Sequence, residues 1–264
     1  MQELQSPEAQ KIDALKAQAN GALDEYSLSP SLRSLATTGL RKRGSIHSER
    51  SQSDSKASST ALKYWLKEQL YKARIEVPYR PHTFFVPRSV LQDLITVSAV
   101  ASDIQARFPD VDEIQATLVA ERVCAYARQL YAILAYVRKA EDITLLLEEG
   151  ITDEDLPLFR KPNAHSVFAL YRNDGNTIKT CETWRANHLE KFDRIQWWMI
   201  APVFRLNEDL YRLDDKTVLP FIPLGHSSNE LEHKQGGYSE VYPVRIHPAH
   251  HEFWHSTGRV VSIN

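Results

Sequence analysis

The sequence predicts a mainly α protein: a helical domain from about residue 61 to 204, a disordered arm before it, and a short β-hairpin after it. Three observations carry this reading. Apolar residues between Val111 and Lys139 recur at helical steps, with Val119, Val123, Tyr126, Leu130, Ile133 and Val137 near one stripe. Serines crowd the stretch from Tyr26 to Thr60, which has almost no apolar side chains to bury. Two glycines, Gly236 and Gly237, stand between two runs of strand character.

Composition narrows the function classes. The chain has 264 residues, 42% of them hydrophobic and 25% charged, which is ordinary for a globular protein. A net charge of −2 gives no strong field toward nucleic acid or an anionic membrane. No run approaches the ~20 apolar residues of a membrane span, and the polar start MQELQSPEAQKIDALKAQ lacks a signal-peptide core. The two cysteines, Cys124 and Cys181, are far apart and form neither a disulfide framework nor a metal knuckle. These features place the chain inside the cell, in cytoplasm or nucleus, with another protein as its expected partner and with neither nucleic acid nor membrane.

The arm comes first, residues 1–60. Leu4, Ile12, Leu15 and Leu23 give only a thin apolar stripe, so its start is at most a marginal helix. The run RKRGSIHSERSQSDSKASST buries too little to offset ordering entropy and reads as a solvated linker. Arg41-Lys42-Arg43-Gly44-Ser45 also has the form of a site for a basophilic kinase or a short nuclear-import patch.

Ser59 or Thr60 can cap a first helix that runs to about Arg74, with Leu62, Trp65, Leu66 and Leu70 on one face. Pro78 and Pro81 stop it, because each disfavours helix in the residue before. A second helix after Pro87 carries Val90, Leu91, Leu94 and Ile95, and Phe108-Pro109-Asp110 breaks the chain again. The long periodic segment Val111 to Lys139 then reads as one helix, capped by Asp110 with Glu113 three residues on, and forms the spine of the domain. Ile143 to Leu147 adds an apolar turn that Gly150 ends in the left-handed region. Thr152-Asp153-Glu154-Asp155 reads as a capped, solvated acidic turn, without the ligand ladder of a calcium loop. A last helix covers Trp184 to Met199, and residues 205–228 read as a linker.

The final stretch, residues 229–264, has a different character. Lys234 and Gln235 lead into Gly236 and Gly237. Val241, Tyr242, Val244 and Ile246 follow, the last three alternating with Pro243 and Arg245 as in a half-buried strand. Pro243 cannot donate to a ladder, which marks an edge strand or a bulge. His247, His250, His251 and His255 cluster nearby, but neither their spacing nor their partners suit zinc, and HPAHH reads as a surface turn. No nucleophile elbow or phosphate-binding loop of another class is present.

The phrase GGYSEVYPVRIHPAHHEF, with Leu219-Pro220-Phe221-Ile222 upstream, resembles serine/threonine protein kinase-like proteins of filamentous fungi. The resemblance runs loosely back to about Leu62. It implies that the hairpin opens a kinase domain as its glycine-rich loop, a G-x-G-x-x-G-x-V pattern over the ATP phosphates. On that reading Gly236, Gly237, Tyr238, Ser239 and Val241 are the nucleotide-contacting residues. Gly236 stands in the second glycine position, Tyr238 at the loop tip and Val241 against the adenine. Lys234 replaces the first glycine and Ser239 the third. The third-strand lysine, the H-R-D aspartate and the D-F-G aspartate would follow the loop, and no such phrase occurs in His255 to Asn264. The resemblance therefore implies ATP and magnesium binding for full-length relatives. For this chain it implies a regulatory or interaction region with nucleotide binding and phosphotransfer vestigial or absent. The competing expectation is a stand-alone helical interaction module whose glycine hairpin is only a turn.

Overall fold

A computed structural model describes residues 65–78, 80–162, 168–206, 210–223, 234–236, 239–241 and 244–253. All of them belong to one compact unit, Ile46–Asn264. The expected arm, the caps Ser59 and Thr60, and the loop residues Gly237 and Tyr238 lie outside the described residues.

The fold is mainly α, with short antiparallel strand pairs at its margins. Helix α1 covers residues 65–73. A two-stranded hairpin follows, β1 (Ile75–Glu76) against β2 (Phe84–Phe85), with Ile75 opposite Phe85. Its turn holds His82 in the left-handed region, φ 60°, which few non-glycine residues other than Asn, Asp and His adopt. The His82 N–H donates to Glu76 Oε1 at 2.8 Å, which ties the turn to the strand before it.

Helix α2 (Arg88–Leu94) starts after Pro87, as read. It ends earlier than the apolar pattern suggests, because Thr96 caps a separate helix α3 (Val97–Arg107), its side chain accepting from the Ala99 N–H. Asp112, and not Asp110, caps helix α4 (Glu113–Tyr126), by accepting the Gln115 N–H at 2.7 Å. The reason is that Val111 is buried and Phe108 to Asp110 turn the chain before the helix begins.

The single spine read over Val111–Lys139 is two helices. Ala127, at φ −141° and ψ 32°, divides α4 from α5 (Arg128–Val137). The periodic stripe runs on through the break, which hides it from a pattern search. Helix α5 buries Leu130, Tyr131, Ala132, Ile133, Leu134, Ala135 and Val137, so it is apolar almost all round. It packs on α2, on α4 and on the last helix, α8 (Ala186–Met199). Arg138 ends it in the left-handed region at φ 65°.

Helix α6 (Ile143–Glu148) follows a 3-10 turn, and Gly150, at φ 72°, ends that segment as its sequence predicts. The turn Asp153–Asp155 is capped by Thr152 with reciprocal bonding between Thr152 and Asp155. It is not a solvated acidic turn. Asp153 accepts from the Gln129 N–H at 3.0 Å and the Leu130 N–H at 2.8 Å, and so caps α5 from 23 residues away. Asp155 pairs with Arg172 at 2.7 Å. Unsatisfied amides at a buried helix start recruit a carboxylate, and that pulls this turn inward.

Strands β3 (Phe159–Lys161) and β4 (Ala169–Tyr171) pair next, and a short helix α7 (Lys179–Glu182) precedes α8. Trp184, read as the first residue of the last helix, sits just before it. Its indole N–H donates to Asp142 Oδ2 at 2.7 Å. Within α8, Gln196 is fully buried. Its side-chain amide accepts the Leu158 N–H at 2.8 Å and donates to the Leu158 carbonyl at 3.0 Å. That two-point clamp holds the approach to β3 on the helix.

The segment read as a linker packs on the helical body. Val218 is buried with Val77, Phe85, Trp197 and Ala201, and Phe221 and Ile222 cover the same cluster. Within it, Phe221–Ile222 form β5.

Candidate functional site

The glycine hairpin forms. Strand β6 (Lys234–Gly236) pairs antiparallel with β7 (Ser239–Val241), placing Gly236 opposite Ser239 and Lys234 opposite Val241. Two residues separate the strands in the sequence, the commonest loop length of antiparallel hairpins. Three of the five residues assigned to nucleotide contact, Gly236, Ser239 and Val241, therefore lie on facing strands. The other two, Gly237 and Tyr238, lie outside the described residues. The two strands form a sheet of their own.

The next segment is fixed to the helical body. Strand β8 (Arg245–Ile246) pairs antiparallel with β5, with Phe221 opposite Ile246 and Ile222 opposite Arg245. The His247 N–H donates to the Pro220 carbonyl at 2.9 Å and extends that pairing. The chain then makes the 3-10 turn Pro248–His250, which the His247 ring caps by accepting the Ala249 N–H.

His250 is the centre of this junction and is only 1% exposed. Its Nε2 accepts the Arg88 N–H at 3.0 Å, at the start of α2. Its Nδ1 lies 3.0 Å from the Pro202 carbonyl, an acceptor only, so Nδ1 carries the hydrogen. The ring packs edge-on against Phe85 with centroids 5.5 Å apart. The surface-turn reading of HPAHH thus fails at His250, which is a buried latch, while Pro248 is exposed and the other three residues are half-buried. Burial is the first cause that lowers the His250 pKa, with the neighbouring His247 and Arg88 acting the same way. The Phe204 N–H donates to the His250 carbonyl, and the Phe204 carbonyl accepts the Glu252 N–H.

Beside the latch is a polar cavity of about 580 Å³. Arg88, Arg128 and Arg205 supply its cations, and Asp153 and Glu154 its carboxylates. Glu252 lies 3.2 Å from Arg205 and 3.9 Å from Arg88. Burial pushes Asp153 up to about 6, against its bonds to the amides of α5. Cys124 also lines the cavity, but its thiol is spent on the Ile95 carbonyl at 3.4 Å. Cys181 is buried, and burial drives its thiol well above the ordinary range. Among the described residues, no three His, Cys, Asp or Glu side chains are grouped to hold a metal ion. No helix among them is long and apolar enough to cross a membrane.

The sequence pattern located the hairpin and missed the junction. His250, Asp153 and Gln196 each act through one bond or two to a residue far along the chain, and no local spacing signals that. Comparison of the chain with protein-family models, with curated proteins and with solved structures finds no match.

Proposed function

We propose that the chain is the N-terminal regulatory and interaction region of a serine/threonine protein kinase-like protein. Nucleotide binding and phosphotransfer then belong to full-length relatives and are vestigial or absent in this chain. One observation supports the reading above the others. The two phrases that carry the resemblance, Leu219–Ile222 and the stretch after the glycine loop, are hydrogen-bonded to each other through β5 and β8. The same unit is latched to α2 by His250. A helical body that grips the strand after the loop is placed to set where that loop sits, and loop position is what nucleotide closure depends on.

A specific observation favours the second reading, a stand-alone helical interaction module. Helix α4 exposes Ile114 at 75%, Leu118 at 39% and Tyr126 at 49%. Apolar side chains spaced along one side of a surface helix suit a partner helix or groove. On that reading the hairpin is only a turn.

The two readings part in the gene. The kinase-like reading expects the genomic sequence downstream of Trp254 to encode, in some frame, a lysine-bearing strand and an H-R-D phrase. A downstream sequence that encodes neither leaves the interaction module. Calorimetry with Mg-ATP on the chain itself tests the remaining clause. A low-micromolar site that Gly236→Val abolishes would overturn the claim that nucleotide binding is vestigial, because binding that tight needs a concave site that buries most of the ligand.

A further inference from the structure

A second cleft, of about 660 Å³ and open to solvent, lies among the β1–β2 turn, β3, α8 and the segment that leads to β5. Four cations line it: Arg80 from the turn, Arg160 from β3, Arg194 from α8 and Lys216 from the last segment. Two carboxylates line it as well, Glu190 and Asp193, both from α8. All four cationic residues are exposed, so a ligand in the cleft can reach their charged ends.

Asp193 organises one side of the cleft. Its carboxylate is only 8% exposed. It accepts the Arg160 Nε–H at 2.7 Å and lies 3.6 Å from Lys216 Nζ. One buried carboxylate therefore holds two cations from distant segments, while about half of each cationic side chain stays open to solvent, 46% and 54%. The Arg160 guanidinium also rests on the Phe168 ring, 4.6 Å from its centroid, which helps fix its plane.

The other side is less compensated. Among the described residues, neither Arg80 nor Arg194 forms an ion pair. Glu190 is exposed and one helical turn before Arg194, and an exposed pair at that spacing contributes little. Glu76 and Asp214 in the flanking turns are not lining residues, and each is bonded to a backbone amide, of His82 and of Lys216. Four cations against two carboxylates leave a surplus of two positive charges on the lining residues themselves. The whole chain has a net charge of −2, so this surplus is local. Gathering like charges in one concavity costs free energy that a bound anion offsets.

We propose that this cleft binds the phosphate of a phosphorylated side chain on a partner protein. A phosphate monoester has a charge of about −2 and three acceptor oxygens, which matches the surplus, whereas a carboxylate supplies one charge. Guanidinium forks such as those of Arg80 and Arg194 take phosphate oxygens two at a time. The openness of the cleft selects a phosphate presented on a chain. A free small molecule would stay largely in water here, whereas small-ligand pockets bury ~70–90% of their ligand. A phosphopeptide needs only its head group in the arginine cluster and extends beyond it. The cations converge on one concavity and do not run in a groove that tracks a nucleic-acid backbone. The proposal does not rest on the kinase-like reading, since no residue of the glycine loop or the latch lines the cleft.

The test is fluorescence anisotropy on the full chain with degenerate peptide pools that fix phosphoserine, phosphotyrosine, glutamate or serine at the centre. At least one phosphorylated pool is expected to bind at least about tenfold more tightly than the glutamate pool, the gain of one further charge-assisted hydrogen bond. The serine pool is expected not to bind. Arg80→Gln and Arg194→Gln each remove a charge that has no partner among the described residues, so both should leave Tm unchanged and weaken binding about tenfold. The double variant should abolish it. Lys72→Gln, on α1 and outside the cleft, should leave binding as it is. Failure of both phosphorylated pools would overturn the proposal. So would equal binding of the glutamate pool, or binding that the double variant retains. Inorganic phosphate that binds as tightly as the peptides, or tighter binding to a single-stranded oligonucleotide or to vesicles containing phosphatidylinositol phosphate, would overturn the assignment to a phosphorylated protein.

Discussion

His250→Ala should loosen the C-terminal segment from the helical body, and the size of the effect follows from what the ring does. It accepts the Arg88 N–H and donates to the Pro202 carbonyl, both at 3.0 Å. Each such bond is worth about 0.5–1.5 kcal/mol net, and the orphaned partners are partly buried, so the two together account for roughly 1–3 kcal/mol. The missing ring also leaves a void beside Phe85, which lies 5.5 Å away centroid to centroid. Partial collapse of that void adds about 1 kcal/mol. A total of roughly 2–4 kcal/mol corresponds to a fall in Tm of about 5–15 °C for a unit of this size. His250→Phe separates the terms, because it fills the space and makes neither bond. It should recover about 1 kcal/mol of the loss. Thermal unfolding gives the total, and hydrogen exchange of residues 244–253 locates it. If His250→Ala moves Tm by less than about 1 °C and leaves exchange in that segment unchanged, the latch is incidental. The pairing of β5 with β8 then holds the segment by itself.

Three further predictions concern the helical body and its titration. Leu130→Ala removes a fully buried side chain from α5 and should cost about 2–5 kcal/mol by urea unfolding. A negligible change would mean that α5 is not the centre of the core. Asp153→Ala uncaps α5 by deleting the acceptor for the Gln129 and Leu130 amides and should cost about 1–2 kcal/mol, with Asp153→Asn intermediate. An unchanged urea midpoint in Asp153→Ala would show that water replaces the carboxylate without loss. The pH dependence has two opposing parts. The folded His250 pKa lies below its unfolded value, so the unfolded chain binds the extra proton first. Stability from this group is complete above about pH 6.5 and falls as pH drops through the folded value. Asp153, pushed up to about 6, has the opposite sign, and the stability it contributes at low pH is lost as pH rises through that value. Urea midpoints from pH 7.5 to 5 should therefore lose part of their slope in His250→Phe and steepen in Asp153→Asn. Identical slopes in all three proteins would refute both assignments.

The helices were legible because burial on one face leaves a period in the sequence. Leu130, Ile133 and Val137 on α5 repeat at three and four, and the structure buries all three. The break at Ala127 was not legible, because its cause lies outside the window. Asp153 takes the amides of Gln129 and Leu130 and gives α5 a start of its own, yet the apolar stripe continues across the gap. The same limit explains the misread linker. Val218, Phe221 and Ile222 are isolated apolar residues among prolines and aspartates, with no period to read. What buries them is a surface built from β1, β2, α8 and Ala201, and even its nearest buried member, Ala201, is 17 residues before Val218 along the chain.

The C-terminal region divides in the same way between local and distant causes. Gly236 and Gly237 predict a tight turn from the sequence through glycine's conformational freedom, and among the described residues Gly236 pairs with Ser239 as that prediction requires. Nothing local says which part of the chain the following strand will meet. Arg245 and Ile246 alternate as a strand with one partly covered face, and that pattern is satisfied by any edge. The choice is made by β5 and by His250. The 3-10 turn at Pro248 brings the His250 ring to the Arg88 amide and the Pro202 carbonyl at once. A histidine in that role resembles, in sequence, its neighbours His247 and His251. Only the geometry separates the buried latch from the less buried rings beside it. The cluster that invites a metal-site reading is therefore better understood as one buried histidine that joins α2 to the Pro202 carbonyl, beside less buried rings with contacts of their own: His247 caps the turn and His251 stacks on Phe253. His251→Ala should therefore release residues 244–253 less than His250→Ala does in hydrogen exchange, because the His250 ring is the more deeply buried of the two, and equal release would refute that ranking.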